Sequence, residues 1–264
     1  ERFFVRVAEL YRYPVKSFSS ERCEELTIND GKVIGDRVLA FRFADRGAPH
    51  DWGWQRKSNF LSLSDTPGLS LLDVKFDDQL RQLMFKYDRE LIVQGSIDSI
   101  AERITISKAI EKFAFTLEVN PLFDHPERTP LNLIGDGLQG LFYDSKNGGV
   151  TVYSNESLKA FQASMGSEID GRRFRTNVVI DCADRWQELA WNGYVSIGNV
   201  DFKVVKPVAR CLATHANPVT GDRDQDIMGG LTKANGYDVP VFAIRLEPLT
   251  SQSTIHIGDS VRVN

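Results

Sequence analysis

Cys211 is the residue in this chain whose neighbours most clearly suggest chemistry. The run Lys206-Pro207-Val208-Ala209-Arg210-Cys211 sets a thiol beside one cation and within reach of a second. Nearby cations favour thiolate over thiol, and the thiolate is the form that ligates soft metals or attacks electrophiles. The turn residues of Asn217-Pro218-Val219-Thr220-Gly221 predict a chain that folds back over the cysteine. The competing reading is a small apolar core residue, which is what most free cysteines are. Cys182 follows a strand ending at Asp181 and reads as structural, and Cys23 reads as part of a charged turn. Three cysteines, widely spaced and without Cys-x-x-Cys, argue against a disulfide framework, a zinc ribbon or an iron–sulfur centre, and for a reducing compartment.

The elements that must carry these residues are mostly short strands. Residues 200–205 alternate as a strand, and Pro207, without an amide donor, is expected to end its ladder. Strands are also expected at residues 3–11, 26–28, 38–43, 69–76, 83–93, 150–153 and 177–181, with a break at Asp88-Arg89 and a loop at residues 47–53. Gly198-Asn199 and Gly258-Asp259 read as two-residue hairpin turns. Ser107 is expected to cap a helix to about Leu117, with Ala109, Ile110, Phe113 and Leu117 on one face. Ser154 or Asn155 caps a second helix, Glu156 to Met165, closed by Gly166. Residues 120–149, rich in Pro, Asn, Asp and Gly, read as a crossing between two parts. Many short strands with Gly-rich turns imply β barrels decorated by a few helices.

The chain has 264 residues, 42% hydrophobic and 26% charged, with net charge -4 and a pI near 5.7. That composition is ordinary for a globular protein and lacks the basic excess of a nucleic-acid binder. No apolar run is long enough to span a bilayer and no signal peptide is visible, so no membrane partner and a cytoplasmic location are expected. A chain that opens on Glu1 rather than Met leaves room for a lost leader.

Taken with Tyr13-Pro14-Val15-Lys16-Ser17, Gly35-Asp36-Arg37, Trp54-Gln55-Arg56-Lys57, Ser154-Asn155-Glu156-Ser157-Leu158, Phe174-Arg175-Thr176-Asn177 and Ile257-Gly258-Asp259, the cysteine run resembles the MOSC proteins. The likeness is to the two-part members that include N-hydroxylaminopurine and amidoxime reductases. The resemblance implies a mainly β fold with a few helices (α+β), in which an N-terminal β-barrel-like domain (residues 1–120) packs on a MOSC β-barrel domain (121–264). It also implies a molybdenum cofactor, Mo-molybdopterin, with Cys211 as metal ligand and catalytic residue. Lys16, Ser17, Arg37, Ser154, Arg175, Asn177 and Arg210 fall at positions that the resemblance assigns to cofactor binding. Helix N-termini suit anions, although plain N-capping explains Ser154 as well. Asn177 offers a donor and an acceptor to a pterin edge, or equally to its own strand. Asn217, Thr176 and Ala209 depart from the common Asp, Pro and Ser.

The implied activity is reduction of N-hydroxylated compounds such as hydroxylamines, amidoximes and N-hydroxylated bases. Electrons would come from a separate ferredoxin-, cytochrome- or flavin-type protein, because no second redox motif occurs in the 264 residues. The alternatives are a carrier of the cofactor or its sulfur, and a metal-free thiol enzyme. No lysine stands in a recognisable Schiff-base setting, so pyridoxal phosphate is not expected. His215 is the one histidine near the cysteine, where it is a candidate for proton transfer. Arg172 and Arg173 read as a solvated face and as the candidate docking patch for the electron carrier.

Overall fold

The computed structural model describes residues 5–48, 50, 52–182 and 184–264. Phe3 and Phe4, expected to open the first strand, and Pro49 of the loop at 47–53 lie outside the described residues. Strand β1 (Arg6–Arg12) buries Val7 and Leu10, three positions apart. A register shift between Val7 and Glu9 supplies the extra residue that lets both face inward. Cys23 is not in a turn: it lies in β2 (Glu21–Cys23), opposite Leu10. Strand β3 (Glu25–Asn29) turns at Asp30-Gly31, both with positive φ, into β4 (Lys32–Val33), and β5 (Ala40–Arg42) follows. Strands β6 (Asp73–Asp77), β7 (Gln82–Tyr87) and β8 (Glu90–Ser96) make a meander. Asp88 and Arg89, both at positive φ, form its second turn.

The first long helix starts earlier than Ser107. Helix α1 spans Ile100–Ala114, and its N-cap is Ser99, whose side chain accepts from Glu102 N. Ser99-x-x-Glu102 is a capping-box spacing, and Glu102 also accepts from Ser96 N. Ser107 is instead buried in mid-helix, accepting from Leu133 N of β9 (Asn132–Ile134). Strand β10 (Val150–Ser154) runs into α2 (Asn155–Met165), capped by Ser154 and ended by Gly166 at φ 66. After β11 (Val178–Asp181), strands β12 (Tyr194–Ile197) and β13 (Val200–Ala209) form the hairpin expected at Gly198-Asn199. Pro207 does not end β13. The ladder with the later strand β14 (Val241–Pro248) shifts register on both sides of it, and a bulge tolerates a residue that cannot donate. Helix α3 (Ile227–Ala234), β14 (Val241–Pro248), β15 (Gln252–His256) and β16 (Val261–Val263) complete the chain.

The expected pair of β barrels is not what forms. Eight strands make one sheet in the order β16-β12-β13-β14-β10-β11-β1-β2, and its end strands β16 and β2 are not joined. Separate sheets are β15-β3-β4, β5-β9 and β6-β7-β8. The fold is mixed α+β with several open sheets. Closure requires the edge strands to share a ladder, and β16, three residues long, makes its ladder with β12 and none with β2. The approach of its leading turn to β1 stops at a single Arg6–Ser260 bridge and hydrogen bonds such as Val7 N to Asp259 O at 2.9 Å. Strand β15 pairs with β3 rather than β16, so Gly258-Asp259 links two sheets and is not a hairpin turn.

The core divides with the sheets. Phe18, Phe41, Phe76, Phe85 and Ile106 anchor one cluster, in which the β6–β8 meander packs on α1. Val7, Leu10, Val152, Ile180, Phe202 and Ile244 fill one face of the eight-stranded sheet. Phe161, Phe174, Ile227, Leu231 and Phe242 join α2 and α3 to its other face. No helix among the described residues is long and apolar enough to cross a membrane.

Candidate functional site

Between the N-terminal loop at Lys16 and the end of β13 lies a cavity of about 540 Å³. Four residues from adjacent strands form a row along its sheet side: Asn177 just before β11, Thr151 on β10, Arg245 on β14 and Lys206 on β13. Alternation explains the row. Val150, Val152, Ile244 and Leu246 point to the opposite face and are buried in its core, so the residues between them face the cavity.

Six of the residues singled out in the sequence also line this space: Lys16, Ser17, Arg37, Arg175, Asn177 and Arg210, together with Cys211. Lys16 and Ser17 follow β1, and Ser17 sits at φ 72. Lys16 Nζ donates to Asp144 Oδ1 at 2.6 Å and Phe142 O at 2.9 Å. Burial lowers the Lys16 pKa, and the Asp144 carboxylate opposes that shift. Arg37 pairs with the fully buried Asp36 and donates to Arg175 O at 2.9 Å. Its guanidinium lies 4.8 Å from the Tyr13 ring centroid, and that of Arg175 lies 4.4 Å from it. Burial opposes the charge on Arg37, but Asp36 and Tyr143 outweigh it and raise its pKa. Arg175 has no salt bridge among the described residues: burial, then repulsion from Arg37, pushes it down to about 10 against the opposing Tyr13, Asp36 and Asp144.

Arg210 donates through Nε to Phe242 O at 2.7 Å and through Nη1 to Phe174 O at 2.9 Å. Its Nη2 is buried with no hydrogen-bond partner among the described residues, and burial pushes this arginine down to about 10. Cys211 opens a short 3-10 turn over Leu212–His215, and its carbonyl accepts from Thr214 N and Oγ1, each at 3.0 Å. Lys57 Nζ reaches across from the N-terminal half to donate to Cys211 Sγ at 3.2 Å.

Two of the sequence candidates are used up inside the protein. Asn177 spends its amide on Tyr11 O and Asp36 and its oxygen on Thr151. Ser154 does not line the cavity. It is fully buried, caps α2 through Ser157 N, and donates to Glu188 Oε2 at 2.9 Å. His215 does not line the cavity either: its Nε2 accepts from Met228 N, and burial lowers its pKa. Of Arg172 and Arg173, only Arg172 is exposed to solvent as expected. Arg173 is buried, donating to Asp224 at 2.6 Å and His215 O at 2.8 Å, and Arg172 is held by Asp170.

The lining contains eight Lys or Arg side chains and a single carboxylate, Asp144. Buried cations short of partners destabilise a fold unless an anion completes them. The unpaired Arg210 Nη2 and the depressed Arg175 therefore fit a ligand bearing phosphate-type oxygens, and Cys211 offers it a soft donor. Among the described residues no cluster of three His, Cys, Asp or Glu side chains is arranged to hold a bare metal ion. A metal here needs most of its ligands from the group that carries it.

Sequence reasoning missed Lys57, Thr151 and Arg245 as lining residues. Lys57 was within a motif already quoted, but only the tertiary fold brings it to Cys211. Arg245 carried a signal in the single charge that interrupts Phe242, Ile244 and Leu246.

The model of the MOSC domain matches residues 143–262. Over 120 residues the chain is 29% identical to "Mitochondrial amidoxime-reducing component 1" of Mus musculus, covering 42% of this chain and 35% of that protein. Over 107 residues it is 28% identical to "Molybdenum cofactor sulfurase" of Drosophila pseudoobscura pseudoobscura, covering 39% of this chain and 13% of that protein. The matched stretch is thus a minor part of each relative's length. Among solved structures, the YUAD protein from Bacillus subtilis aligns over 97% of this chain and 93% of its own, at 11% identity and TM-score 0.45.

Proposed function

We propose that this chain, a MOSC-domain protein related to molybdenum cofactor sulfurases and the amidoxime-reducing component, binds the molybdenum cofactor in the cavity between Lys16 and Cys211 and reduces N-hydroxylated compounds. The observation that carries this reading is the meeting of Cys211 with Lys16, Arg37, Arg175 and Arg210 in one cation-rich cavity. Cys211 Sγ would ligate the metal. Lys16 and Arg175, both weakened as cations by burial, would hold the terminal phosphate with Ser17, and Arg37 would brace Arg175 through its carbonyl. Arg210 Nη2 would find the acceptor that the protein itself does not provide. Bound there, the cofactor would supply the two electrons that, with two protons, cleave an N–O bond to N–H and water. Lys57 Nζ would keep a proton donor beside Cys211 Sγ for a cleavage that consumes protons.

Electrons would come from a separate ferredoxin-, cytochrome- or flavin-type carrier. The sequence-level division at 120/121 and a cytoplasmic location are part of the same proposal. A second reading, carriage of the cofactor or its sulfur without turnover, draws on the likeness to the sulfurases. One experiment separates the two. Protein made in a host that synthesises the cofactor is assayed for molybdenum and pterin, then for benzamidoxime reduction with reduced viologen. The reductase reading expects turnover that Cys211→Ser abolishes without loss of fold. Cofactor-loaded protein that does not turn over favours the carrier, and full molybdenum-dependent turnover in Cys211→Ser rejects Cys211 as the ligand.

A further inference from the structure

The eight-stranded sheet breaks its own charge pairing at one place. Lys206 on β13 stands directly opposite Arg245 on β14. Like charges directly opposite in a ladder are destabilising, and on the same ladder Lys203 meets Glu247 in the expected way. Both members of the like-charged pair line the cavity. Neither has a carboxylate partner among the described residues: Arg245 donates through Nη1 to Ser145 Oγ at 2.5 Å, and no bond to Lys206 is seen. The protein also makes room for Arg245. A Cβ on Gly149, which sits at φ 109, would lie 2.9 Å from Leu246 O, 3.1 Å from Arg245 Cγ and 3.3 Å from its Cδ. The arginine stem therefore runs through space that the glycine leaves open, with its head tethered by Ser145.

We propose that Lys206 and Arg245 form a subsite for an anionic group, carboxylate or phosphate, on the substrate at a distance from its N–O bond. This rests on the reductase reading. A single terminal phosphate on the cofactor already has Lys16 and Arg175, the latter braced by Arg37, which reach the cavity from the opposite, N-terminal side and from the segment before β11. Two more cations, placed together on the sheet and left without a carboxylate, imply a second anion. Arg245 can present a forked pair of donors to such a group, and Lys206 adds a mobile point charge. The preferred substrates are thus N-hydroxylated compounds with a carboxylate or phosphate tail.

The test compares benzamidoxime with 4-carboxybenzamidoxime on cofactor-loaded parent, Arg245→Gln and Lys206→Gln proteins, with reduced viologen as donor. In the parent kcat/KM should favour the carboxylated compound, and either variant should reduce that preference roughly tenfold to 100-fold, the range for a lost charge-assisted hydrogen bond. Calorimetric titration with 4-carboxybenzamidoxime should show the same loss of affinity. This arm needs no turnover, so it decides the subsite even if the reductase reading fails. Relief of like-charge repulsion should keep both variants folded, and the second variant serves if the first does not fold. A parent without preference, or a preference that survives both substitutions, overturns the proposal. So does a fall in pterin content in the variants, which would assign the pair to the cofactor.

Discussion

Replacing Arg175 with Met should weaken cofactor binding far more than it changes stability. Burial and the adjacent Arg37 push the Arg175 guanidinium down to about 10. A depression of that size opposes the charged form by about 3 kcal/mol, and partial solvent access reduces this to about 2 kcal/mol. Because the folded value lies below the unfolded one, the penalty is present in full at neutral pH and is relieved only as pH rises through about 10. Against that relief, Met loses the hydrogen bond to Phe18 O, worth about 1–2 kcal/mol, and the stack on Tyr13, worth about 0.5–1 kcal/mol. These nearly cancel, so Tm should move by less than about 4 °C in a chain of this size. The ligand side has no such offset. Loss of a charge-assisted bond to phosphate removes about 1.5–3 kcal/mol, or roughly tenfold to 100-fold in affinity. Pterin released by oxidation, molybdenum by mass spectrometry and Tm by calorimetry, measured on protein loaded with limiting cofactor, give the comparison. Parental occupancy in Arg175→Met, or a fall in Tm of about 10 °C or more, would refute the reasoning.

Ser154→Ala should cost about 1–2 kcal/mol through the lost cap and the bond to Glu188, while pterin content stays at the parental level; calorimetry and pterin release measure both. Burial raises the Glu188 carboxyl above its ordinary value, against hydrogen bonds from Ser154 and Ser157. With the folded value above the unfolded one, its contribution is full below the ordinary carboxylate range and is lost as pH rises through the folded value. Glu188→Gln should remove that dependence, so a parent-to-variant stability difference that does not fall as pH is raised from about 4 contradicts the burial argument. The isolated chain should not oxidise a nicotinamide cofactor in the presence of an N-hydroxylated substrate. It should do so once a reductase and a small electron carrier are added, and nicotinamide oxidation by the chain alone would reveal a redox centre that is unaccounted for.

The local rules worked where local chemistry decides. Ser154 and Gly166 bound α2 because a hydroxyl can accept from the first free amides and a glycine can take the left-handed exit. Gly198-Asn199 turns β12 into β13 because its flanks alternate. They failed where a stronger signal lay nearby or a partner strand intervened. Ser107 looked like a cap, but Ser99 and Glu102 start α1 a full two turns earlier. Pro207 looked like a stop, but β14 accommodates it by shifting register. Gly258-Asp259 looked like a hairpin, but β15 finds its partner in β3.

Alternation and turn residues were enough to read short strands with a few helices, and the ordered motifs pointed to the MOSC domain whose model matches residues 143–262 and to a thiol among cations. Those properties follow from residue type and short spacing, which the backbone reads locally. Whether the strands closed was a matter of edges, and only the tertiary structure decided it: the three-residue β16 makes a ladder with β12 and none with β2 at the far edge. The same holds for the site. Lys57 and Cys211 are 154 positions apart, and Lys206 faces Arg245 only because β13 and β14 pair in one register. Long-range pairing depends on the packing of the whole chain, so no local stretch of sequence encodes which distant cation a thiol will meet.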